Sequence, residues 1–146
     1  MRNIQFGVTF LMLVSFATAA FTQDLKKNGM KLKHKVVMQV TEGDSLTQLA
    51  VIGQVRNIRK QLPDAQIEVV CHANSLDMLL KSGTKVASHI AELTSQEVRF
   101  VACENTMARK KATKEDLVPG TETVPSGLVE IILKQEEGWS YIKGGH

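Results

Sequence analysis

What constrains this chain most is a repeated alternation of short β-branched runs with stretches whose apolar residues recur at helical spacing. Val36-Val37-Met38-Gln39-Val40, Gln66-Ile67-Glu68-Val69-Val70-Cys71 and Val98-Arg99-Phe100-Val101-Ala102-Cys103 read as buried strands. Residues 121–124 and Trp139-Ser140-Tyr141-Ile142 read as two shorter ones. Between the first two, Ser45 stands three residues before Gln48, the capping-box spacing, and Leu46, Leu49, Ile52, Val55 and Ile58 follow until Pro63 stops the pattern. Asn74 suits the N-cap of a short helix carrying Leu76, Leu79 and Leu80, closed by Gly83, and a second stretch holds Val86, Ile90 and Leu93. A further helix starts near Asn105, Thr113 with Asp116 repeats the capping-box signal, and Ser126 or a neighbour caps a helix through Leu128, Ile131 and Ile132 that Gly138 ends. Strand–helix alternation of this kind predicts an α/β fold, a three-layer α/β/α sandwich around a mostly parallel sheet of about five strands. Open sheets of this class bind ligands at the carboxyl ends of their strands.

The chain has 146 residues, 43% hydrophobic and 23% charged, which suits one globular domain with one core. A formal charge of +3, with basic and acidic residues interspersed, does not call for nucleic acid. The local exception, Arg109, Lys110, Lys111 and Lys114, reads as a solvated helix face or an anion site. At the start, Arg2, an apolar run over residues 6–16 and Ala17-Thr18-Ala19 form the three parts of a secretory signal, with cleavage expected near Ala19-Ala20. That run is too short to cross about 30 Å of hydrocarbon, so no membrane insertion is expected after cleavage. The expected organisation is a signal peptide over 1–20, a flexible lead-in over 21–34, one domain over 35–143 and a loose tail over 144–146, in a periplasmic or secreted protein.

Cys103 ends a strand run and precedes a helix, which places its thiol at the carboxyl edge of the sheet beside a positive helix end that favours thiolate. Glu104 opposes this if its carboxylate turns inward, and Lys110 and Lys111 are near enough only to shape the field. A small buried hydrophobe is the alternative reading. Cys71 also ends a strand. A disulfide between them is open to neighbouring strands about 4.8 Å apart and closed to strands about 10 Å apart, and strand order is not legible here. His72 reads either as a general base for Cys103 or as a solvent-facing loop histidine. Cys71, His72 and Cys103 do not make a metal site, because His34, His89 and His146 lack ligand spacing to them. No metal and no cofactor is expected, and no phosphate loop, dinucleotide fingerprint or serine elbow is present. Trp139 and Tyr141 share one face of the last strand, as core or as a subunit interface.

Four segments in register then resemble the exported branch of the DsrE/DsrF-like family of small sulfur-relay proteins. They are Phe100-Val101-Ala102-Cys103-Glu104-Asn105-Thr106-Met107, Leu117-Val118-Pro119-Gly120, Val124-Pro125-Ser126-Gly127 and Gly138-Trp139-Ser140-Tyr141-Ile142-Lys143, with the first strand in keeping. The resemblance implies an α/β/α domain forming homo-oligomers, trimers or hexamers, and a persulfide carried on Cys103 between a sulfur-donor and an acceptor protein. It also implies that Asn105 and Thr106 line the Cys103 pocket, with His72 nearby. Where many relatives have glycine after that position, this chain has Ala73. The expected function is sulfane-sulfur carriage on Cys103 in the periplasm, against the alternative of a non-catalytic oligomeric module that binds a ligand or partner without sulfur transfer.

Overall fold

A computed structural model describes residues 34–145; the expected signal peptide and nearly all of the lead-in lie outside them. In chain order the elements are β1 (Lys35–Val40), α1 (Ser45–Gln61), β2 (Gln66–Cys71), a 3-10 helix (Ala73–Met78), α2 (Ala87–Thr94), β3 (Val98–Cys103), α3 (Glu104–Lys110), a short 3-10 helix (Lys114–Asp116), β4 (Glu122–Val124), α4 (Gly127–Glu136) and β5 (Ser140–Lys143). The five strands form one parallel sheet in the order β4-β3-β2-β1-β5.

That order explains the layers. From β1 to β4 the chain steps along the sheet in one direction, and right-handed crossovers keep those connections on one face. There Met38, Val40, Ile67, Val69, Cys71, Phe100 and Ala102 pack against Val51, Ile52 and Val55 of α1, Ile90 and Leu93 of α2 and Met107 of α3. The last connection, from β4 back to β5 at the other edge, runs in the opposite direction and so crosses the opposite face. Among the described residues α4 covers that face, with Ile131 against Val37 and Val70 and with Trp139 packed alongside.

Local differences from the sequence reading have physical causes. Asp44, not Ser45, caps α1: its carboxylate accepts from Leu46 N and Thr47 N at 3.0 Å and from Thr47 Oγ1 at 2.6 Å. Gln48 points inward, giving its Nε2 to Gly43 O and taking Lys85 N at 2.8 Å, because those loop groups need partners once covered. This turns Leu46 and Leu49 outward, 68% and 52% exposed. Gly144 and Gly145, expected to belong to a loose tail, are tied down instead: Gly144 N donates to Gln39 O at 2.7 Å, and Gly145 exchanges two hydrogen bonds with the Gln54 amide, while His146 lies outside the described residues. Strand β5 therefore continues into a clasp against β1 and α1 instead of fraying. Among the described residues no helix is long and apolar enough to cross a membrane.

Candidate functional site

The connections leaving β3 and β4 diverge, α3 to one face and α4 to the other, and the crevice between two such strand ends is where an open α/β sheet binds its ligands. Cys103 is the last residue of β3 and the N-cap of α3, in extended conformation. Its strand partner is Val124, the last residue of β4, so the turn Pro125-Ser126 brings the first residue of α4, Gly127, over the thiol. Asn105 N donates to Pro125 O at 3.2 Å and ties the two helix starts together.

The close approach leaves little room for a side chain at Gly127. A Cβ on Gly127 would meet Val70 Cγ1 at 3.1 Å, His72 Cβ at 3.3 Å and Cys103 Cβ at 3.4 Å, which also places His72 and Cys103 side by side. Around the sulfur, burial pushes the thiol up. The Gly127 N–H, the Thr106 hydroxyl and the Thr106 and Asn105 N–H groups outweigh it, and the thiol lies below its ordinary value. None of these makes a close helix-capping bond to the neutral sulfur, so they favour chiefly the anion. The Asn105 N–H is shared, because it also donates to Pro125 O.

Thr106 is 2% exposed, and its hydroxyl is oriented by its neighbours. Ala73 N donates to Oγ1 at 3.2 Å and Arg109 Nη2 donates to it at 3.1 Å. Both lone pairs are then filled, leaving the single O–H proton to be given to the sulfur. Ala73 reaches this position through a left-handed backbone, φ 55°. A non-glycine residue pays about 1–2 kcal/mol for that conformation, and glycine at this place would be free of the strain.

The sequence-derived site residues are distributed as follows. Thr106 contacts the sulfur through its hydroxyl and N–H, whereas Asn105 offers its N–H and leaves the residue exposed. Glu104 turns away from the thiol, accepting from Thr123 Oγ1 at 2.7 Å. Lys110 binds Asp77 at 2.6 Å, so Arg109 is the cation of the basic run that reaches the site. His72 stands beside Cys103, half-buried, with Nε2 2.8 Å from Gln39 Nε2. Its imidazole is shifted below the ordinary value by burial and by Arg109. Cys71 is free, as is Cys103. Its partner in β3 is Ala102, so the two thiols sit on neighbouring strands but opposite faces of the sheet. Burial pushes the Cys71 thiol up to about 12. Gly127, Gln39 and Tyr141 were not predicted as residues of the Cys103 site, and Arg109 was singled out only within the basic run. Gly127 left a trace as the glycine following a strand and opening a helix.

The sequence profile of the DsrE/DsrF-like family matches residues 14–143. The chain belongs to the DsrE/DsrF-like family. Its fold matches the structure of MTH1491, a protein of unknown function from Methanobacterium thermoautotrophicum, with a TM-score of 0.73 and 35% identity over 76% of this chain and 99% of that one. YchN from E. coli shares the fold at a TM-score of 0.62 and 15% identity, over 77% of this chain and 99% of that one. No curated protein matches the chain. The DsrE-like fold is thereby established for this sequence, within a family generally associated with sulfur relay.

Proposed function

We propose that this DsrE-like protein carries sulfane sulfur as a persulfide on Cys103, as a homo-oligomer in the periplasm. The observation that carries the reading is the contrast between two buried thiols: Cys71 pushed up to about 12, Cys103 held below its ordinary value by donors from two helices. In the loading step the Cys103 thiolate attacks the outer sulfur of a donor persulfide. A new S–S bond forms, the donor S–S bond breaks, and the donor leaves as thiolate. In the unloading step an acceptor thiolate attacks the outer sulfur on Cys103, and Cys103 departs as thiolate. No net oxidation occurs and no cofactor is needed. The donors that lower the Cys103 pKa raise the share of thiolate available for loading, and they assist unloading because a less basic thiolate is the better leaving group.

The outer side of α4 supports the oligomeric part of the reading. Leu128, Val129, Ile132 and Leu133 are 47–56% exposed and contiguous on one side of the helix. Periplasmic location rests on the signal-like sequence of residues 1–20.

The test is intact mass spectrometry after exposure to a small persulfide donor. The added sulfur atom is expected on the wild type and on Cys71→Ala, and not on Cys103→Ser. Failure of the wild type to take up sulfur while a control thiol does so would leave the binding-module alternative, as would a Cys103→Ser protein that keeps every cellular role.

A further inference from the structure

The sheet face that carries α4 also holds three polar side chains that the sulfur chemistry above does not use. Gln39 lies near the end of β1, Tyr141 lies on β5, and His72 follows the last residue of β2. Tyr141 pairs with Val37 and Lys143 with Gln39, so alternation puts Tyr141 and Gln39 on one face of adjacent strands. The three side chains form a chain: Tyr141 Oη donates to Gln39 Oε1 at 2.5 Å, and Gln39 Nε2 lies 2.8 Å from His72 Nε2.

The direction of these bonds has a consequence for the imidazole. A carboxamide oxygen only accepts, so the phenol spends its one proton on Gln39 Oε1, which turns the amide nitrogen toward His72. That nitrogen only donates, and the His72 atom it meets must present a lone pair. The ring proton of neutral His72 then resides on Nδ1. Burial and the nearby Arg109 both act against a second proton.

We propose that Tyr141 and Gln39 lock His72 as the neutral Nδ1–H tautomer, making it a positioned hydrogen-bond donor beside Cys103 and not its general base. This rests on the reading of Cys103 as the reacting thiol, and it deepens that reading by dividing the labour at the site. With Nε2 occupied, the ring has no free lone pair for the thiol proton. The thiol proton passes to solvent, the Thr106 hydroxyl and the main-chain donors stabilise the thiolate left behind, and the imidazole offers one N–H suited to sulfur that develops negative charge. His72 and its two supports are positioning residues in this scheme.

The experiment is long-range proton–nitrogen NMR of the imidazoles in uniformly labelled full-length protein, with the His72 signals identified by their loss in His72→Asn. Wild-type protein at neutral pH is expected to show the Nδ1–H form, and Tyr141→Phe is expected to populate the Nε2–H form, because the amide loses the donor that orients it. Wild-type His72 found as Nε2–H or as imidazolium overturns the proposal, and so does a tautomer population that Tyr141→Phe leaves unchanged. No sulfur donor enters this measurement. A protein with the expected tautomer that fails to take up sulfur sinks the carrier reading alone, and one that loads sulfur with the wrong tautomer sinks the lock alone.

Discussion

Replacing Thr106 by valine removes a hydroxyl and little volume, and its consequences can be worked from the contacts around Oγ1. The O–H given to the Cys103 anion disappears, and the Ala73 N–H and one Arg109 N–H lose their acceptor. A hydrogen bond to a charged group contributes about 1.5–3 kcal/mol, which corresponds to a fall of about 10- to 100-fold in thiolate population at a pH below the midpoint. The thiolate that remains is more basic and so more nucleophilic; with a Brønsted slope near ~0.45, about half of the loss on a logarithmic scale returns. The observed alkylation rate at low pH should therefore fall by only about 3- to 10-fold, while the plateau at high pH rises above wild type. Rates of iodoacetamide reaction across pH, followed by mass spectrometry, give both limbs. Crossing curves are the signature of a lost anion donor. A midpoint that stays where it was would refute the assignment of the Thr106 proton to the sulfur, and a plateau that falls would indicate blocked access instead. The Arg109 group is exposed and rehydrates, whereas orphaning the covered Ala73 N–H should lower unfolding stability in urea by about 1–3 kcal/mol.

Gly127→Ala places a methyl 3.1–3.4 Å from Val70, His72 and Cys103; it should cost about 1–3 kcal/mol in urea unfolding and slow Cys103 alkylation as α4 shifts. Ala73→Gly relieves the left-handed strain and should raise stability by up to about 1 kcal/mol in the same assay, the greater freedom of glycine in the unfolded chain offsetting part of the gain. Glu68, fully buried beneath α4, is pushed up from 4.5 to about 7 because burial and the facing Glu130 outweigh Arg99 and Lys134. Its folded form holds the proton that the unfolded form releases, so this group's contribution to stability is present below about pH 4.5 and is lost as pH rises toward 7. Urea midpoints across that range should fall less steeply in Glu68→Gln; an unchanged slope would contradict the assignment. Cys71 should resist alkylation until denaturant is added, while Cys103 reacts in the native protein.

The elements were legible where a local rule decided them. Continuous apolar runs located the three long strands, Pro63 limited α1, and the Thr113–Asp116 capping box forms as its spacing implies. Local rules failed where a residue answered to distant groups. Leu46 and Leu49 share the helical repeat with Ile52 and Val55 yet point outward, because Gln48 took the inward face where Gly43 O and Lys85 N needed its amide. The tail looked loose because its glycines carry no pattern, yet its backbone groups find Gln39 and Gln54 across the fold.

The candidate site divides along the same line. By itself the sequence determined that Cys103 closes a strand and opens a helix, since both signals lie within a few residues of it, and the family segments added Thr106 and Asn105. Tertiary structure alone decided that Cys71 faces away, because a sheet face follows from register across strands and not from a residue's place at a strand end. It also decided that Gly127 reaches the thiol from the start of α4, and that Gln39 and Tyr141 stand in line with His72. Each of these contacts joins residues dozens of positions apart or on separate strands, through strand pairing that no local pattern encodes. The place of Cys103 is a local fact of the chain; the groups around its sulfur are gathered by the order of the strands.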